Sequence, residues 1–129
     1  MSAPQHWLLV RGRGERRLPL NVRSAELRAH SSTRRPAVEA GDEALLYAAG
    51  WRVIFGVVEV VGDLEHDPTR TRWGWRFGIR PLVVVEDLRE APPVEAAGVL
   101  PRSLGRHSYV RLTREQFEAG RAALEATRV

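Results

Sequence analysis

Apolar residues in this chain fall into short runs separated by polar, glycine- or proline-containing breaks, the spacing of a strand-rich domain. His6-Trp7-Leu8-Leu9-Val10 predicts a first strand. Arg11 to Arg17 alternates glycine with arginine and predicts a loop, without the glycine spacing of a phosphate-cradling motif. Ser24 predicts the cap of a short helix through Ala25, Leu27 and Arg28, ended by Ser31-Ser32-Thr33 and Pro36. From Gly41 the pattern sharpens. Ala40-Gly41-Asp42 is a turn, Glu43 to Ala48 a strand, Ala49-Gly50 a break, and Arg52 to Val61 a long strand. Gly56 inside that strand predicts a bulge or a close backbone approach. After a polar loop from Gly62 to Arg72, Trp75 to Arg80 alternates large apolar with basic or small residues, and Leu82 to Val85 extends the sheet beyond Pro81.

Ala91-Pro92-Pro93 is a turn and His107 to Leu112 a last strand. Thr113-Arg114-Glu115-Gln116 is a capping box that opens a helix to about Thr127, with Phe117, Gly120 or Ala123, and Leu124 spaced to meet the core. The pattern therefore predicts a single α+β domain over 1–129: a curled, mainly antiparallel sheet or small barrel, a short early helix and a C-terminal one.

Composition narrows the chemistry. The chain has 129 residues, 43% hydrophobic and 28% charged, which is ordinary globular composition. With no cysteine, disulfides, thiolate metal sites and cysteine nucleophiles are excluded. No apolar run approaches the ~18 residues of a membrane span. The first ten residues lack a basic segment ahead of an apolar one, so the expected location is the cytoplasm. All 20 basic residues are arginine, a bias that genome composition alone can produce. Their placement is more informative. From Met1 to Arg35 eight arginines face two acids, a net of +6, whereas the rest of the chain holds twelve arginines and fourteen acids, a net of −2. Clustered positive charge of this kind raises the local potential and suits phosphate, although a solvated basic face has the same signature.

Trp7 in the first strand, the Ala40-Gly41-Asp42 turn leading to Tyr47, Phe55-Gly56-Val57-Val58-Glu59-Val60, His66-Asp67-Pro68-Thr69, the Trp75 to Val85 strand, and Ser108 to Leu124 with its Leu-Thr-x-Glu-Gln helix entry together resemble the EVE-domain family. The matches run in order along nearly the whole chain. The block Trp73 to Arg80 also resembles the stretch of YTH readers in which a tryptophan closes a methyl-base cage. The resemblance implies a PUA-like fold and a module that binds DNA or RNA and recognises a modified base, single-stranded or flipped, in an aromatic pocket. One departure matters: relatives commonly carry a tryptophan after the first strand, whereas Asn21 to Arg35 holds no Phe, Trp or Tyr.

On that reading Trp73, Trp75, Tyr47, Trp51, Trp7, Ser31 and Ser32 are the candidates for the base, and Arg34, Arg35, Arg70, Arg72 and Arg76 for phosphates. Trp73, beside Arg72, reads as a surface aromatic, Phe77 as core, and Trp75 stays open between core and cage. Tyr47, ahead of Ala48-Ala49-Gly50, fits a ligand contact or a barrel-end tyrosine equally. Catalysis is not expected. The four histidines lack His-x-x-x-His spacing, no Gly-x-Ser-x-Gly elbow exists, and neither a metal nor a cofactor is called for. A sensor of a free nucleobase or nucleoside, and a shape-reading RNA-binding accessory domain, are the alternative expectations.

Overall fold

The structure is a computed structural model that describes residues 3–12, 18–62, 64–104 and 107–127. Among the described residues seven strands form one curled sheet: β1 (His6–Arg11), β2 (Ala29–Ser32), β3 (Glu43–Ala48), β4 (Val53–Val60), β5 (Glu65–His66), β6 (Trp75–Val84) and β7 (Tyr109–Leu112). Their spatial order is β2-β6-β4-β3-β1-β7, with β5 beside β6. Every pairing is antiparallel except β1 with β3, so the sheet is mixed. Side chains tie its two ends together. His30 Nε2 on β2 donates to Ser108 O just before β7, and the Tyr109 hydroxyl donates to Arg35 O. The result is a half-barrel.

Local sequence explains the irregularities. Leu46 stands opposite Gly56 but Tyr47 opposite Ile54, leaving Phe55 as an extra residue in β4. A Cβ on Gly56 would lie 3.1 Å from Val83 O, so the bulge and the close approach coincide there. In β6, Val57 faces Val83 and Val58 faces Pro81; the break absorbs the proline, which has no N–H for the ladder. Helix α1 (Arg114–Thr127) is opened by the capping box: Thr113 N–H donates to Gln116 Oε1 at 2.9 Å, and Gln116 N–H to Thr113 Oγ1 at 3.1 Å. Its Phe117, Gly120 and Leu124 are buried.

The predicted early helix is corrected. Ser24–Glu26 forms a single 3-10 turn with no side-chain cap, and Ala29–Ser32 is a strand. Ala29 to Ser32 pair with Gly78 to Trp75, so the edge of β6 meets backbone groups that a short isolated helix would leave open. The polar loop after β4 likewise contributes the two-residue β5. Of the glycine-arginine loop, residues 13–17 lie outside the described residues.

Candidate nucleic-acid interface

The interface candidates are set by the first residues of β6 and its two neighbours. On β2 and β6, His30 stands opposite Phe77 and Ser32 opposite Trp75; on β5, His66 stands opposite Trp75 from the other side. Residues paired across a sheet share a face, and i and i+2 on one strand do too. One row therefore runs from buried Phe77 and His30 outward to Trp75, which is half-buried at the rim. Ser31 and Arg76 pair on the opposite face, half-buried and exposed respectively.

Trp75 is held on the rim by rings and charge. The His66 imidazole stacks on it with centroids 4.1 Å apart and planes 23° apart, and the Arg35 guanidinium lies over the indole at 5.4 Å. Trp73 follows a different logic. Its backbone is left-handed, φ 53°, a conformation costly for a bulky residue. Its N–H donates to Thr33 Oγ1 at 3.2 Å, and Arg72 lies 5.3 Å from its ring. Between the two tryptophans the backbone packs closely: a Cβ on Gly74 would sit 3.0 Å from Asp67 O, a contact that requires the loop to give by a few tenths of an ångström. The approach loop is tied off by Asp67, whose Oδ1 accepts from Thr69 N–H and Thr69 Oγ1 at 3.0 and 2.6 Å. Those bonds, the side-chain one first, hold the Asp67 carboxyl below its usual range. On the β2 side, the Ser32 hydroxyl donates to Arg34 O.

Beneath this rim lies a buried polar pair. His30 is 3% exposed, and because its Nε2 donates to Ser108 O at 2.9 Å, its Nδ1 is the acceptor facing Arg11 Nη1 at 3.5 Å. Burial first and the Arg11 charge second lower the His30 pKa to about 4, against the backbone bond that raises it. The ring is therefore neutral at pH 7. Arg11 Nη1 also donates to Ala29 O at 2.9 Å, while its enclosed Nε has no partner among the described residues, and burial lowers its pKa.

The candidates separate into two groups. Trp73, Trp75, Ser32 and the exposed Arg35 and Arg72 come together around the rim, with exposed Arg34, Arg70 and Arg76 on the same segments and Ser31 on the outer face. Trp7, Tyr47 and Trp51 do not join them. Trp7 is 4% exposed; its indole donates to Asp42 Oδ2 at 2.9 Å and meets the edge of Tyr109 at 5.7 Å. Trp51 donates to Leu18 O at 2.8 Å. Tyr47 lines a different cavity, described below. His66, His30, Arg11 and Thr33 were not among the sequence candidates. Strand pairing and the curl of the sheet bring them to this place, and a two-residue strand such as β5 carries no periodic signal.

Among the described residues no group of three or more His, Asp or Glu is placed to hold a metal ion. No helix among them is long and apolar enough to cross a membrane. No protein-family profile matches the chain, and no curated protein does. Solved structures do match. A hypothetical protein from Leishmania major superposes with a TM-score of 0.65 at 13% identity, over 98% of each chain. A Rhodopseudomonas palustris protein gives 0.60 at 18% identity, over 95% of this chain and 94% of its own. Human THYN1 protein in complex with DNA containing 5-methylcytosine gives 0.60 at 14% identity, over 97% and 98%. The DUF55 domain of human thymocyte nuclear protein 1 is similar as well, at 0.56 and 16%. These likenesses cover nearly the whole of each chain, and this chain shares the fold of those proteins, the DUF55 domain of human thymocyte nuclear protein 1 among them.

Proposed function

We propose that this chain is a nucleic-acid-binding module, not a catalyst, that takes a modified base of DNA or RNA at the Trp73–Trp75 rim. The observation that carries the proposal is Trp75: an indole set at the open end of the barrel row, backed by His66, with Arg35 over its ring and Arg34, Arg70, Arg72 and Arg76 exposed nearby. THYN1, which shares the fold, is bound to DNA containing 5-methylcytosine. The His66 ring supplies an aromatic neighbour that the segment from Asn21 to Arg35 lacks at the rim.

In this reading a base enters unpaired, because its face is covered within a duplex. It stacks beside the indole, and the Arg35 guanidinium moves from the ring to a phosphate. The arginines supply sequence-independent, salt-dependent attraction, and the pocket supplies selection. Tryptophan fluorescence titrations with short strands, plain and carrying methylated or hydroxymethylated bases, test this at two salt concentrations. The parent chain is expected to prefer one modified strand, and Trp75→Ala to lose ~1–3 kcal/mol of binding together with that preference. Equal affinity of parent and Trp75→Ala for every strand would refute the assignment. Tighter binding of the free nucleoside than of the strand would favour a sensor of small heterocycles.

A further inference from the structure

A cavity lies at the end of the sheet away from the tryptophan rim. Tyr47 stands opposite Ile54 at the start of β4, whereas the tryptophan rim is built on the start of β6, which projects past the far end of β4. A tight turn follows β3: Trp51 and Arg52 N–H both donate to Ala48 O, at 3.2 and 3.0 Å. Arg52 takes a left-handed φ of 61° there, the second such non-glycine residue among those described, the other being Trp73. Val94 N–H donates to Arg52 O at 3.1 Å and fixes the segment carrying Glu95 against this turn. The opposing wall is Leu100-Pro101-Arg102, shaped by Ser103, whose N–H and hydroxyl both donate to Leu100 O. These walls enclose about 570 Å³, within the range usual for a site that holds a small organic ligand.

The chemistry facing this space is unspent. Tyr47 is 4% exposed and lines this space. Arg52, Arg102 and Glu95, all exposed, form no ion pair among the described residues. Burial raises the Tyr47 pKa, with Arg52 pulling it down and Glu95 pushing it up, so the hydroxyl is a donor at neutral pH. Two guanidinium groups and a phenol against one carboxylate leave a surplus of donors and positive charge, which suits phosphate oxygens. Leu100, 52% exposed, and Pro101 offer an apolar wall, and Glu95 an acceptor for an N–H group.

We propose that the Tyr47–Arg52–Arg102 cleft is a binding site for a small phosphomonoester of the nucleoside monophosphate class. Arg52, Arg102 and the Tyr47 hydroxyl hold the phosphate, the organic part lies on Leu100 and Pro101, and Glu95 accepts from its amino group. The site goes beyond the rim and does not depend on it. Amide chemical shifts of the intact chain, followed during titration with AMP, CMP, GMP and inorganic phosphate, test the proposal. At least one nucleotide is expected to saturate with shifts at Gly50, Arg52, Leu100 and Arg102. Arg102→Ala, at an exposed position, should weaken that binding by about tenfold, and Tyr47→Phe by a smaller factor. Trp75→Ala should bind the nucleotide as the parent does, which separates failure here from failure at the rim. Shifts confined to Trp73 and Trp75, unchanged affinity in Arg102→Ala, no saturation at millimolar nucleotide, or equal binding of inorganic phosphate would each overturn the proposal.

Discussion

Under α1 the sheet is packed until a methyl group no longer fits. A Cβ on Gly120 would lie 2.4 Å from Leu45 Cδ1 and 3.2 Å from Ile54 Cδ1, and Phe117 and Leu124 on either side are fully buried. At the β5–β6–β2 rim, the same sheet leaves Trp75 half exposed, holds Trp73 in a left-handed backbone and keeps a buried neutral histidine beside an arginine whose Nε has no partner among the described residues. The helix side agrees with every local preference: capping, periodicity and close packing. The rim departs from several, and such departures concentrate where a surface is kept for something other than stability.

The sharpest break in this contrast is expected from Phe117→Ala. Emptying a fully buried site under α1 should reduce stability by about 3–5 kcal/mol in urea unfolding, while the fraction that remains folded binds strands like the parent. The next effect lies under the rim. His30 is held at about 4, below its ordinary 6.5, so as pH falls through 6.5 the unfolded chain takes up the proton first. Its contribution is complete above pH 6.5 and is lost progressively toward pH 4, roughly 3 kcal/mol in all. Unfolding curves at pH 7 and 4.5 check this; His30→Gln, which keeps a donor toward Ser108 but does not titrate, should flatten the difference between the two pH values.

Smaller effects sharpen the comparison further. Thr113→Ala removes half of the capping box and should lower stability by about 1 kcal/mol, visible as fraying in amide exchange of the first turn of α1. Arg52→Gly works in the opposite direction. Glycine accepts a φ of 61° without a Cβ penalty, so thermal unfolding should show a gain of up to about 1 kcal/mol. A loss of stability in that variant would mean that the Arg52 side chain supports the turn instead of standing ready for a ligand.

Much of the frame was legible residue by residue. The strands around Leu8, Leu45, Val57 and Phe77, the Gly56 irregularity and the reciprocal Thr113–Gln116 cap all rest on interactions within a few positions or on two-residue periodicity. The candidate site was legible only in pieces. Trp73, Trp75, Arg35 and Arg72 were visible as an aromatic and basic set, but nothing local separates them from Trp7, Trp51 and Tyr47, which are equally aromatic and equally close to strand ends.

By itself, then, the sequence determined the long strands, the closing helix and the positive charge of its first quarter, because propensity, periodicity and charge are carried by neighbours along the chain. Only the tertiary structure decided that Ala29–Ser32 is a strand, because its hydrogen-bond partners come from β6, nearly fifty residues away. It also decided that His66 lies against Trp75 while Tyr47 faces a separate cleft, because strand pairing and the curl of the sheet, not spacing in the chain, choose which side chains meet.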